Sequence, residues 1–272
     1  MASRAEQKAA ARQAREAHHM QQKLAAARRT RLMVTAGVIA VAVVALVVAI
    51  AVSSSGGQTT NTKLTASTKA ADLRIVESEL AGIPQSGNVL GKASAPITLT
   101  EYGDLVCPTC RDFAVLTEPG IISSLVKTGK AKLVYRAFET ASQTANASEY
   151  VATQVAARSA GLQGREWDYV LLTYREQPQT IGGQPAETVA YVTPNYLQNL
   201  AAQVPHLNLV TWQSNLANQA LQDDVTVDGQ AALAAGAQGT PTVVVTGPKG
   251  SAIDNEGIPT LSGVQSTIAQ VS

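Results

Sequence analysis

Cys107 and Cys110 are the only two cysteines in 272 residues, and only Pro108 and Thr109 lie between them. On a helix, that spacing puts the two sulfurs one turn apart on one side, close enough to join as a disulfide. A pair that can open and close is a redox group, because a thiolate is the species that attacks a disulfide or leaves from one. Pro108 suits the first position of a helix, where its missing N–H costs nothing. A helix beginning there would leave free N–H groups and the positive end of its dipole beside Cys107, and both favour an anion. Cys107 is therefore expected to be the exposed nucleophile and Cys110 the partly buried resolving thiol. Pro108 and Thr109 would tune the thiolate and meet the substrate.

Two other uses of a Cys-x-x-Cys pair fit less well. A purely structural disulfide closing so short a loop removes little chain entropy. A zinc site needs two further ligands. The chain has no other cysteine, and His18 and His19 precede a long apolar run, which leaves His206 alone. No metal ligand set and no cofactor beyond the dithiol itself is expected.

The elements around the pair follow from periodicity. Ile97–Tyr102 alternates like a strand, with Ile97, Leu99 and Glu101 on one face. A helix is expected from Pro108 to about Thr117, a kink or restart at Pro119-Gly120, and a second segment ending before Gly129. Ala131–Phe138 reads as the next strand. Strand, helix, strand makes a βαβ unit with the cysteines at the first strand-to-helix junction. Glu101 lies six positions before Cys107 among apolar neighbours. It is a candidate proton relay for the thiols, or a strand-end acid reaching solvent. Asp104 reads as a turn residue.

Residues from about 146 to 224 are helical by pattern. Segments are expected at Ala147–Ala160, Glu166–Glu176, Thr193–Gln203 and Leu209–Asp224, with no strand signal among them. A short helix over Asp228–Ala235, a buried strand Thr242–Thr246, an edge strand Ser251–Asp254 and a closing helix Pro259–Val271 complete the chain. Pro241 opens the buried strand, which proline is permitted to do. A cis bond there would turn the Thr240 backbone toward a neighbouring site, with its N–H and C=O free to pair with an extended substrate. An ordinary trans proline is the alternative.

The N-terminal part speaks to location. Residues 1–31 hold eight Lys/Arg against two acids (+6), leaving −5 for the rest of a chain whose total is +1. Leu32 to Val52 is an uncharged apolar run about 31 Å long as a helix, enough to span a bilayer. With the basic cluster directly before it, the N-terminus is expected in the cytoplasm and the body outside. The run ends near Ala49-Ile50-Ala51, a small-residue pattern like a signal cleavage site, but its length favours an uncleaved anchor. Export puts the body where disulfides persist. The basic head is read as a topology signal, not a nucleic-acid site. Residues 53–87 form a Ser/Thr/Gly-rich linker and N-terminal extension.

Taken together, Thr100–Cys110 (TEYGDLVCPTC), the strand KLVYRAFE, Gln163–Trp167, Asp228–Gly236 and Gly239–Val245 (GTPTVVV) resemble the DsbA-like branch of the thioredoxin-fold oxidoreductases, over roughly residues 88–272. The resemblance implies an α/β thioredoxin fold with an inserted helical domain, here preceded by one transmembrane helix. It implies that Cys107 and Cys110 are the active pair, that Pro241 is cis with Thr240 before it, and that Glu101 is the acid under the dithiol. It further implies an extracytoplasmic enzyme that donates disulfides to exported proteins. A membrane quinone-linked partner of the VKOR or DsbB type would reoxidise it. Pro108-Thr109 differs from the Pro-His or Pro-Tyr of well-known relatives, and Thr240 also occurs in reducing and isomerising members. Oxidase, reductase and isomerase therefore stay open. So does a reading from another class, a binding or chaperone-like module with a structural disulfide.

Overall fold

The computed structural model describes residues 66–254 and 257–272. The basic segment 1–31, the apolar run 32–52 and the linker up to residue 65 lie outside these residues. Among the described residues, no helix is long and apolar enough to cross a membrane.

The described chain opens with α1 (Ala66–Leu80), then a small hairpin of β1 (Gln85–Ser86) and β2 (Val89–Leu90). Gly87 at φ +55° makes the reversal, a conformation that glycine adopts without a Cβ penalty. Val76 and Leu80 of α1 are buried in the main core with Ile83 and Leu90. Packing therefore begins well before residue 88, where the folded domain was expected to start.

β3 (Ile97–Gly103) leads to α2 (Pro108–Asp112) and onward to β4 (Ala131–Ala137). Both strands bury alternate residues as their patterns demand: Ile97, Leu99 and Glu101 on β3, and Leu133 and Tyr135 on β4. The helix does not break at Pro119. A π-helical turn, Phe113–Thr117, carries α2 into α3 (Glu118–Ile121), and a second, Ile122–Val126, follows. The Glu118 N–H reaches back five residues to the Phe113 carbonyl, so the helix absorbs one extra residue just before the proline.

After β4 come α4 (Tyr150–Gly161), α5 (Glu166–Glu176), α6 (Pro194–Ala201), α7 (Leu209–Asn215) and α8 (Gln219–Ala234). Two expectations are corrected here. The single helix expected over Leu209–Asp224 is two, because Asn218 caps a new start by accepting the Ala220 N–H. That new helix runs unbroken through the boundary expected at 224. A hairpin of β5 (Thr180–Ile181) and β6 (Gln184–Pro185) also interrupts the helices, turning on Gly182 and Gly183, both at positive φ.

β7 (Thr242–Gly247), β8 (Gly250–Asp254) and α9 (Leu261–Val271) close the fold. Pro259 lies outside α9. Thr260 is its cap and accepts the Gly263 N–H at 3.0 Å. The sheet runs β1-β2-β4-β3-β7-β8, with β3 parallel to β4 and antiparallel to β7. Glu101 stands in register between Tyr135 and Val243.

The helical insertion is tied to the sheet by buried charge. Arg158 pairs with Glu166 at 2.8 Å and also with Asp228, whose carboxylate accepts the Ala137 N–H at 3.1 Å. Burial and the remaining acids outweigh the pull of Arg158 and lift Glu166 to about 7. The Trp167 indole donates to the Asn88 carbonyl at 2.9 Å. Two stretches that carried the resemblance, Gln163–Trp167 and Asp228–Gly236, are thus the clasps that hold the insertion in place.

Candidate active site

Cys107 caps α2 with extended backbone (φ −71°, ψ 122°), and Pro108 takes the first turn as its chemistry suggests. Both cysteines are free thiols, so this is the reduced form of the pair. The Cys107 sulfur lies 2.9 Å from the Thr109 hydroxyl and 3.6 Å from the Thr240 carbonyl. The Thr109 hydroxyl in turn donates to that carbonyl at 3.0 Å. The expectation of an exposed nucleophile needs correction: Cys107 is 5% exposed and Cys110 0%. The difference between the sulfurs lies in their neighbours more than in their exposure.

A hydrogen bond from Cys110 is the main influence holding the Cys107 thiol down, to about 6 from 9.0. It prevails over burial with help from Thr109, Thr240 and, least, the Cys110 backbone. Burial pushes the Cys110 thiol the other way, well above the usual range, and the neighbouring Cys107 adds to the rise. At neutral pH the pair is therefore one thiolate and one thiol.

The Thr240–Pro241 bond is cis, as the resemblance implied. One half of the expectation for Thr240 is corrected. Its carbonyl is not free but faces Thr109 and Cys107, whereas its N–H has no acceptor among the described residues. Its hydroxyl bonds the Thr140 hydroxyl. Beside it lies an open groove of about 580 Å³, with Thr109, Gly239, Thr240 and Pro241 on one side and Ile253 and Ile258 on the other.

Asp104 organises the loop between β3 and α2. Its carboxylate accepts the Val106 N–H at 3.0 Å, the Thr140 and Ser142 N–H groups at 2.9 and 2.8 Å, and the Ser142 hydroxyl at 2.6 Å. Its carbonyl receives the Cys107 N–H at 2.9 Å. The insertion holds the same loop from behind: Tyr174 donates to the Asp104 carbonyl and Gln177 to that of Leu105. Asp104 is a turn residue as expected, and also a clamp between two loops.

Glu101 does not reach solvent. It is 0% exposed, and burial lifts its carboxyl to about 7, partly offset by the neighbouring Glu118. It makes no hydrogen bond to either cysteine. Tyr135 and Tyr174 each feel the charges of both Glu101 and Cys110. Gly103 leaves the room for this arrangement: a Cβ there would sit 2.7 Å from the Tyr174 hydroxyl and 3.3 Å from Glu101 Oε1.

The structure thus brings Cys107, Cys110, Thr109, Thr240 and Pro241 together and buries Glu101 in the strand that leads to them. Pro108 contributes through the backbone of the first turn. Sequence reasoning missed Thr140 and Ser142, whose only signal is a small-polar run after a strand. It also missed Glu118, an acid on the otherwise buried side of the helix that holds Ile121, Ile122 and Leu125.

Residues 85–261 match the family model described as Thioredoxin. The chain is 25% identical over 159 residues to the probable disulfide bond formation protein D of Bacillus anthracis, a match covering 58% of this chain and 69% of that one. It is 26% identical over 166 residues to disulfide bond formation protein D of Bacillus subtilis, covering 58% and 66%. Among solved structures, oxidised BdbD from Bacillus subtilis has the same fold with a TM-score of 0.56 at 22% identity, covering 69% of this chain and 95% of that one. MdbA, a thiol-disulfide oxidoreductase from Corynebacterium diphtheriae, superposes with a TM-score of 0.50 at 16% identity, covering 70% and 93%.

Proposed function

This chain belongs to the thioredoxin family and is a thiol:disulfide oxidoreductase; within that class, we propose that it donates disulfides to exported proteins. The observation that carries the direction is the opposite proton affinity of the two sulfurs. Cys107 titrates at about 6 in the fold against 9.0 for an ordinary thiol. A lowered value means that the thiolate stabilises the folded, reduced protein. That contribution is complete above about 9 and is lost as the pH falls through about 6. A stabilised reduced form makes the disulfide an oxidant.

The cycle begins with Cys107 and Cys110 joined. A substrate thiolate attacks the Cys107 sulfur, the Cys107–Cys110 bond breaks, and Cys110 leaves and takes up a proton. The substrate's second thiol loses its proton and attacks the mixed disulfide, and Cys107 leaves as a thiolate. Two electrons pass to the protein. The proton that Cys110 takes up comes from within the protein, and the two substrate protons go to solvent. The unpartnered Thr240 N–H and the groove beside Pro241 suit an extended substrate backbone. The dithiol is the whole redox group. The apolar run 32–52 anchors the enzyme with this domain outside the membrane, and a quinone-linked membrane protein of the VKOR or DsbB type restores the disulfide.

The reduction potential tests the direction. A value well above the roughly −270 mV of thioredoxin is expected. A value at or below it would reassign the protein as a reductase.

A further inference from the structure

Glu118 is the second carboxyl of a closed chamber. It and Glu101 are both 0% exposed. Among the described residues no donor reaches any of their four carboxyl oxygens. The groups facing Glu118 come from three elements: Glu101 on β3, Glu79 on α1 and Arg175 on α5. Arg175 is already engaged by Glu79 at 2.5 Å. Glu101 has Glu118 beside it, and Tyr135 of β4 and Tyr174 of α5 are within reach of its charge and of that of Cys110 on α2.

Two buried carboxylates without donors cannot both be ionised, and a buried oxygen left without a partner costs free energy. The other donors nearby do not reach these oxygens: Arg175 bonds Glu79 and its Nε–H has no partner, the Tyr135 hydroxyl donates to Gln154, and that of Tyr174 to the Asp104 carbonyl. The donor that remains is a proton on one of the pair. We propose that Glu118 stands as a neutral carboxylic acid that donates its proton as a hydrogen bond to Glu101, leaving Glu101 alone to exchange a proton with the Cys110 side of the dithiol. Glu118 is thus a positioning residue. It touches neither sulfur and acts by keeping a lone carboxylate tolerable under them.

The neighbours decide which of the two holds the proton. Glu118 faces two acids, Glu101 and Glu79, with Arg175 as the lesser counterweight, whereas the one carboxyl beside Glu101 is Glu118, so charge is worse placed on Glu118. Burial and these acids raise its affinity for a proton well beyond the ordinary carboxyl range. In the forward reaction, Cys110 leaves as a thiolate and takes the proton that Glu101 carries at that moment. In reoxidation, Cys110 returns it to the Glu101 carboxylate before attacking the mixed disulfide at Cys107. Glu118 keeps its own proton throughout, so one proton and no net charge is shuttled within the chamber.

The inference rests on the dithiol chemistry above, and a wild-type protein that oxidises substrate thiols secures that part independently. The test is the rate of closure of the Cys107–glutathione mixed disulfide by Cys110, followed against pH in the full chain. Glu118→Gln keeps a donor and cannot ionise, so its inflection is expected within about half a pH unit of wild type. Glu118→Leu removes the donor. Its inflection is expected to rise by about one pH unit, slowing closure at neutral pH roughly tenfold. Infrared spectra of the reduced protein should show a protonated-carboxyl band that is lost in Glu118→Gln. If Glu118 were a carboxylate, Glu118→Gln would lower the inflection and remove no such band. Either result, or an unmoved Glu118→Leu profile, overturns the assignment.

Discussion

The two sulfurs of one short motif sit in opposite surroundings. Around Cys107 stand polar groups whose donors can turn: the Thr109 hydroxyl, the Thr240 hydroxyl and the Cys110 thiol. Beneath Cys110 is a closed chamber of two tyrosines and two acids, set on β3, β4, α3 and α5. The first region makes a thiolate easy and the second makes one costly. A single turn of helix separates them, so the asymmetry comes from what each side of the helix faces. A disulfide that opens between two such regions has one sulfur ready to leave as an anion and one that must take up a proton.

The most severe way to break the contrast is to remove its polar half. Cys107→Ser should abolish oxidation of substrate thiols, in an assay of oxidative refolding, because no other sulfur is placed for attack. Asp104→Ala is next. It strands two buried N–H groups, a half-buried third on Thr140 and the Ser142 hydroxyl, and separates the loop carrying Thr140 from the one carrying Cys107. A loss of about 3 kcal/mol is expected in denaturant unfolding.

The buried half responds with the opposite sign. Glu101 titrates at about 7 in the fold against 4.5 unfolded. As the pH rises from about 4.5 to about 7, the unfolded chain releases this proton first and the fold loses stability, and the loss persists above. Glu101→Gln should therefore match wild type below about pH 4.5 and be more stable by roughly 2 to 3 kcal/mol above pH 7, measured by urea unfolding of the reduced proteins. The smallest effect belongs to Thr109→Val, which deletes one hydroxyl from the Cys107 side. A cost of about 1 kcal/mol to the thiolate should move its ultraviolet titration upward from about 6 by less than about one pH unit.

Much of this site could be read in advance, and the reasons are local. The position of Cys107-Pro108-Thr109-Cys110 between a strand pattern and a helix pattern is visible along the chain. Strict alternation put Glu101 on the face of Ile97 and Leu99, and the structure buries it there. The cis bond before Pro241 came from resemblance alone, since nothing in Gly239–Thr242 distinguishes it. What was hidden depends on distant partners. The Asp104 clamp closes on residues 36 and 38 positions away. The carbonyl of Thr240 is occupied by a hydroxyl 131 positions away. The β5–β6 hairpin has two-residue arms with a proline in one, too short for any periodicity.

Glu118 was hidden by a matter of phase. Along an unbroken α-helix, eight residues turn through about 800°, so residue 118 would point about 80° away from Cys110. The π-helical turn Phe113–Thr117 absorbs one extra residue and takes back about 100° of rotation. Glu118 then comes around to within about 20° of the direction of Cys110, on the same side of the helix. An irregularity that looks like a flaw in the hydrogen-bond ladder works as a gear tooth. Deleting one residue from Phe113–Thr117 would mend the ladder and keep the acid in place, because seven α-helical residues also turn through about 700°; straightening the helix at its full length would turn the acid out of the chamber.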